Sequence, residues 1–240
     1  MARTDGSGPR VWITRARPGA ERTAAALSAR GFTPVVAPAL ALVPLDTPLD
    51  LTGVAGLAFT SRNGVAAYDI AENAHENHIL KFSRVPAGIS TATAEAARAC
   101  GFTRVHSADG ALDDLVALIA AAWPADGGLI LAPGPRDPAG DLTAALTGRV
   151  EVRALPLYAA LETDLAPPGA FDAVLVHSPR AARALAARLA AADVGSRLLV
   201  AISPAAAAPL EGAGFAEIRI ARRPTEDSLL GALGNPVRPV

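Results

Sequence analysis

The chain has 240 residues, 51% of them hydrophobic, and a formal net charge of −1 at pH 7. That length buries one large core or two small ones, and the balanced charge excludes a general nucleic-acid-binding or membrane-binding field. Cys100 is the single cysteine, which excludes a disulfide framework and fits a reducing cytoplasm.

No apolar run approaches the ~20 residues that a membrane span needs, and Met1 to Pro9 lacks the apolar centre of a signal peptide. Of the 22 Lys+Arg, only Lys81 is lysine. An Ala/Arg-rich genome is the simplest source of that bias; the functional reading is that guanidinium forks suit carboxylates and phosphates held bidentately.

In chain order, Arg10–Thr14 reads as a strand and Ala20–Arg30 as a helix ended by Gly31. Thr33–Ala37 is the next strand. Pro38–Pro44, bracketed by prolines, reads as an extended connector more than a core strand. The apolar run Leu57–Phe59 is a buried strand that stops at Thr60-Ser61. A helix follows Ser61, with Arg62 and Asn63 in its first turn and Val65, Tyr68 and Ile70 expected on one side. Ser61 stands where an N-cap belongs, facing backbone N–H groups that the first turn leaves unpaired.

Further strands are expected at Arg84–Ile89, Thr103–Ser107, Gly128–Leu131 and Glu151–Leu155. Helices are expected at Ser90–Cys100, Leu112–Trp123 and Gly140–Leu146. Pro156–Leu161 is a second Pro-flanked connector. The remainder alternates strand and helix: Ala173–His177, Pro179–Ala190, Arg197–Ile202, Pro204–Leu210, Glu217–Ala221 and Thr225–Leu233. This alternation predicts α/β architecture, with parallel sheets covered by helices on both faces.

The chain also repeats itself. Ala173–Arg180 echoes the strand, capping serine and basic residue of Leu57–Arg62, with Ser178 in place of Ser61 and Arg180 following. Val85–Phe102 resembles Leu198–Phe215, and Ile13–Leu40 matches Leu131–Tyr158. The three segment types run a, b, c and then a, b, c again. Packing the middle b, c and a together lets the first a complete the last b and c. The expected organisation is therefore one domain from 1–38 with 166–240, a second from 49–151, and a two-stranded linker from 39–48 and 152–165.

The ordered set Ile13-Thr14-Arg15, Phe59-Thr60-Ser61, Thr93-Ala94 ahead of Gly101, then Tyr158, Ser178 and Gly214 resembles uroporphyrinogen-III synthase. The resemblance covers about residues 10 to 235. It implies two flavodoxin-like parallel-sheet domains joined by the two-stranded linker, with the active site in the inter-domain cleft. It implies a cofactor-free reaction: hydroxymethylbilane loses its terminal hydroxyl as water, ring D is inverted, and the macrocycle closes. It also implies transient contact with the preceding enzyme of the pathway.

A substrate rich in carboxylates needs anion holders more than reactive side chains. Strand-end hydroxyls with helix N-termini behind them occur at Thr14, Thr60, Ser61, Ser90, Thr91, Ser178 and Ser203. With Arg15, Arg62, Asn63, Thr93, Arg136 and Arg180 they form the expected substrate-binding set. Tyr158 is the catalytic candidate, because the family's pattern places a tyrosine here and a phenol can donate a proton to the departing hydroxyl. Ala206 and His177 depart from the family pattern, where threonine is common. Ala132-Pro133-Gly134 replaces a more usual Arg-Gly, with Arg136 as a substitute anion contact.

His75 and His78 have no further metal ligands spaced nearby, so no metal is expected. A non-enzymatic two-domain sensor for a small polyanion is the competing reading.

Overall fold

A computed structural model of the chain describes residues 8–74, 85–88, 91–124, 126–164, 166–189 and 192–236. Ser90, His75 and His78 lie outside the described residues.

The chain opens with β1 (Arg10–Ile13), α1 (Gly19–Ala29), β2 (Thr33–Val36), β3 (Leu40–Pro44) and β4 (Val54–Phe59). Then come α2 (Arg62–Ala74), β5 (Val85–Gly88), α3 (Thr91–Ala99), β6 (His106–Ser107) and α4 (Leu112–Ala122). The central part continues with β7 (Leu129–Pro135), α5 (Leu142–Leu146) and β8 (Val152–Glu162). The last part holds β9 (Ala173–Val176), α6 (Pro179–Leu189), β10 (Leu198–Ala201), α7 (Pro204–Ala207), a 3-10 turn (Ala208–Leu210), β11 (Glu217–Ile220) and α8 (Glu226–Leu233).

Two sheets result, ordered β11-β10-β9-β1-β2 and β3-β8-β7-β4-β5-β6. Two compact units divide the chain, Met1–Leu42 with Leu161–Val240, and Val43–Ala160. Every ladder in the first sheet is parallel, as are β4 with β5, β4 with β7, β5 with β6 and β7 with β8 in the second. The first sheet has the doubly wound order 2-1-3-4-5. With β3 set aside, the second has the same order once β7 and β8 are counted ahead of β4, as the interleaved repeat requires. β1 beside β9 and β7 beside β4 stand where the direction of winding reverses.

Each sheet is apolar on both faces because helices cover both, so its central strands lack alternation. All of β9 (AVLV) is buried, as is nearly all of β4 (VAGLAF). In the first unit, Trp12, Val174, Val176 and Leu199 pack with Leu185 of α6 on one face. Val11, Ile13, Leu175 and Val200 pack with Leu27 of α1 and Leu229 of α8 on the other. In the second unit Ala58 and Ile130 meet Leu115 and Ile119 of α4 and Leu146 of α5. Phe59, on the opposite face, stacks edge-on with Tyr68 of α2 and with Phe102, ring centroids 5.9 Å away in both cases.

Helix ends follow from local chemistry. At the end of α1, Phe32 N–H donates to Leu27 O and Gly31 N–H to Ser28 O, with Gly31 at φ +84°. α3 ends the same way, Phe102 to Ala97 and Gly101 to Arg98, with Gly101 at φ +92°. In both cases the left-handed turn that satisfies the last carbonyls favours glycine.

Four local expectations change. The connector at Pro38–Pro44 contains a strand, β3, at the sheet edge. Glu151–Leu155 and Pro156–Leu161 merge into the 11-residue strand β8. Pro156 withholds a single N–H there, beside the irregularity between Gly134 and Pro135 in the facing strand. Thr163 N–H donates to Ala39 O and Leu45 N–H to Leu157 O. Partner numbers fall as strand numbers rise, so β3 runs antiparallel to β8. Ile70, expected on the inner side of α2, is 70% exposed while Val65 and Tyr68 are buried. At 100° per residue, position 70 is turned about 200° from position 68. The expected strand Thr103–Ser107 shortens to β6.

One close approach sets where α2 begins. A Cβ on Gly64 would lie 2.7 Å from the Pro133 carbonyl oxygen of β7. Gly64→Ala should therefore push the first turn of α2 off the sheet and destabilise the protein by about 1–3 kcal/mol. A lowered midpoint in urea unfolding checks this.

Candidate active site

In the second unit, parallel pairing brings α2, β7 and β8 to one group of strand tips. Ser61 caps α2: its Oγ accepts the Gly64 N–H at 3.1 Å, and its carbonyl accepts the Val65 N–H. β8 continues to the end of β7, where Tyr158 pairs with Pro135 and accepts the Arg136 N–H on its carbonyl at 2.8 Å. The Tyr158 hydroxyl thus lies 3.3 Å from Ser61 Oγ. Tyr158 is only 8% exposed, and burial pushes its phenol above the usual range against the opposing pull of the Ser61 hydrogen bond.

Thr60, half-buried, lines a small pocket of about 50 Å³ with Ala132, Pro133, Gly134 and Asp141. Arg62 and Asn63 are half-buried in the first turn of α2, and the Arg136 side chain is exposed. Tyr158, Ser61, Thr60, Arg62, Asn63 and Arg136 therefore come from one region of this unit.

Two other expected contacts in this unit are used internally. Thr91 Oγ1 donates to Asp109 Oδ1 at 2.7 Å. With Ser107, which donates to the same oxygen, it holds the Asp109 carboxyl below its ordinary range. Asp109 stands before α4 at φ +52° and joins α3 to β6. Thr93 is buried with Ala94 and Ala97 on the inner side of α3. Helical spacing turns it to the core.

In the first unit the strand tips carry a different arrangement. Ser178 caps α6 by accepting the Ala181 N–H at 3.1 Å, and Ser203 caps α7 by accepting the Ala206 N–H at 3.3 Å. Arg180 is half-buried in the first turn of α6. Thr14, expected to meet a ligand, has no exposed surface and donates its hydroxyl to the Leu175 carbonyl at 2.7 Å. It ties β1 to β9.

Arg15 is engaged within the chain. Its Nη1 meets Glu226 Oε2 at 2.8 Å and reaches Thr23 Oγ1 at 3.4 Å. Thr23 donates to Glu226 Oε1, and His177 Nε2 lies 3.2 Å from Glu226 Oε2. Sequence reasoning missed Glu226 and Thr23. Arg15 and Glu226 are 211 residues apart, and Glu226 reads locally as an ordinary acid in a first helical turn.

Desolvation opposes ionisation of Glu226. The hydrogen bonds of His177 and Thr23, with the Arg15 charge, outweigh it and hold the carboxyl at about 2. Burial pushes the His177 imidazole down, so it is neutral near pH 7, and among the described residues its Nδ1 has no partner.

Polar helix starts gathered at the tips of parallel strands, one of them beside a buried phenol, define an α/β protein suited to holding anions. The family model described as Uroporphyrinogen-III synthase HemD matches residues 21–231, and the chain belongs to the uroporphyrinogen-III synthase family. Its fold is similar to that of uroporphyrinogen-III synthetase from Helicobacter pylori 26695, with a TM-score of 0.65 at 15% identity over 93% of this chain and 97% of that one. It is also similar to a mutant uroporphyrinogen III synthase from the bacterium Thermus thermophilus, with a TM-score of 0.57 at 20% identity over 93% and 96%. A 57-residue stretch is 47% identical to N5-carboxyaminoimidazole ribonucleotide synthase of Brucella melitensis, covering 23% of this chain and 16% of that protein. The chain thus spans about a sixth of the length of that curated relative. Among the described residues no helix is long and apolar enough to cross a membrane, and no group of His, Cys, Asp and Glu could hold a metal ion.

The Glu226 cluster makes stability depend on pH. The unfolded chain binds a proton at His177 near pH 6.5, whereas the folded chain resists it. At Glu226 the unfolded chain takes a proton near 4.5, the folded chain only near 2. In both cases the unfolded state binds more protons, so stability falls as pH drops from about 7 towards 2. Melting temperatures across that range should decline, and Glu226→Gln should flatten the part below pH 5.

Proposed function

We propose that this chain cyclises hydroxymethylbilane to uroporphyrinogen III with loss of water, in the cytoplasm and without a cofactor. Membership of the uroporphyrinogen-III synthase family is the observation that carries this reading. The domain organisation that goes with it is two flavodoxin-like domains, 1–38 with 166–240 and 49–151, and a two-stranded linker, 39–48 with 152–165. The matching strand order of the two sheets and the antiparallel run of β3 along β8 support it.

Tyr158 is the proton donor in this reading. Cleavage of the terminal C–O bond releases hydroxide unless a proton arrives with it, and the phenol hydrogen completes a molecule of water. Ring closure with inversion of ring D then bonds the freed terminal methylene to the substituted carbon of ring D and breaks that carbon's bond to the chain. The chain bond re-forms at the ring's free carbon, which loses one proton. That proton restores the phenol, so the enzyme ends as it began. A phenol whose affinity for its proton is raised by burial stays protonated at neutral pH until the substrate arrives.

The substrate's carboxylates need donors. The N-termini of α2 and α6 supply backbone N–H groups beside Thr60, Ser61, Asn63 and Ser178, and Arg62, Arg136 and Arg180 supply guanidinium groups. A site built from amides and dipoles suits a protein whose net charge is only −1. Holding the linear substrate so that its two ends meet lowers the barrier on entropic grounds alone.

The experiment is an isomer assay. Purified protein with hydroxymethylbilane should yield the type III isomer, and recovery of only the type I isomer at the uncatalysed rate would overturn the reading. Tyr158→Phe should lower kcat by about 10²-fold while leaving the melting temperature near that of the parent. Unchanged turnover would remove Tyr158 from the mechanism.

A further inference from the structure

The contact between Ser61 and Tyr158 joins two roles that the sequence keeps apart, a helix cap and a proton donor. Ser61 Oγ already accepts the Gly64 N–H at 3.1 Å. A serine hydroxyl has one hydrogen and two lone pairs, so that hydrogen remains to be placed. The described side chain within its reach is the Tyr158 hydroxyl at 3.3 Å, and the distance alone allows either to donate.

The surroundings decide the direction. The positive end of the 13-residue helix α2 lies behind Ser61. It favours the serine oxygen turned towards the helix and its hydrogen turned away, towards Tyr158. The amide, the serine hydroxyl and the phenol then form a chain in which each donor polarises the next.

We infer that Ser61 is a positioning residue for Tyr158: its hydroxyl, fixed by the Gly64 amide, donates to Tyr158 Oη and leaves the phenol hydrogen directed outward for transfer. This rests on the proposed role of Tyr158. It assigns Ser61 a task different from a carboxylate contact, because its hydrogen is spent on the phenol. The same donor stabilises the phenolate that forms when the proton leaves, through a hydrogen bond that strengthens as charge develops. Ser61 thus acts on the chemical step and not on substrate affinity.

The test separates capping from donation. Ser61→Gly removes the hydroxyl while glycine is itself a tolerated N-cap, and Ser61→Thr keeps both cap and donor. Ser61→Gly should lower kcat about tenfold with KM within twofold, Ser61→Thr should recover most of the loss, and Ser61→Gly should cost nothing further in Tyr158→Phe protein. A raised KM at unchanged kcat, or losses that multiply in the double variant, would overturn the assignment.

A readout without substrate runs alongside. The chain has two tyrosines, so carbon-13 labelling at Cζ gives two signals, and Tyr158→Phe assigns them. Ser61→Gly should raise the pH at which the Tyr158 signal titrates, Ser61→Thr should restore it, and an unmoved midpoint would sink the inference. Because this titration needs no turnover, it reports on the Ser61–Tyr158 pair even if the isomer assay rejects the proposed reaction.

Discussion

Both sheets depend on a pairing at their centre between segments remote in sequence. Ile13 of β1 pairs with Leu175 of β9, and Leu57 of β4 with Leu131 of β7. A parallel strand buried on both faces needs a hydrogen-bonding neighbour on each side, since no water reaches its N–H and C=O groups. β9 and β10 alone would leave the β9 edge open, and β1 with β2 fills it. β7 with β8 does the same for β4. The loop-closure entropy of such distant pairing is modest because it grows only with the logarithm of loop length.

The contact between Ser61 and Tyr158 in the second unit follows from that pairing. Because β7 lies beside β4, the loop after β4 and the end of β8 reach the same strand tips. Ser61 and Tyr158 meet there although 97 residues separate them. Gly64 lets α2 start close against the Pro133 carbonyl, and β8 runs parallel to β7 as far as Pro135. Moving β8 by one residue would turn the phenol to the other face of the sheet. Register, more than any single contact, therefore decides whether the phenol can meet the serine.

The first unit uses equivalent positions differently. Its strand tips hold a charged network of Arg15, Glu226, Thr23 and His177, in which the carboxylate is supplied by the protein itself. Several partners stabilise that carboxylate, which offsets the cost of removing it from water. His177 belongs to this network. Thr14, next to it, serves as a buried tie between β1 and β9. The two units thus share an order of strands and serine-capped helix starts, and the first adds a charged network of its own.

Local and periodic features were legible in the sequence. Continuous apolar runs such as Ala173–Val176 declared buried parallel strands, serines after strands declared helix caps, and Gly31 and Gly101 declared helix ends. The repeat indicated which segments had to complete each sheet, and the ordered residues around Ser61, Tyr158 and Ser178 led to the family. All of these depend on interactions within a few residues or on a pattern that one chain repeats. Only the tertiary structure decided which hydroxyls and charges are already engaged. Thr14, Thr93 and Arg15 look like Ser61 and Arg62 in sequence, yet burial and a partner 211 residues away turn them inward. Hydrogen bonding and desolvation act through space, and no local pattern carries that information.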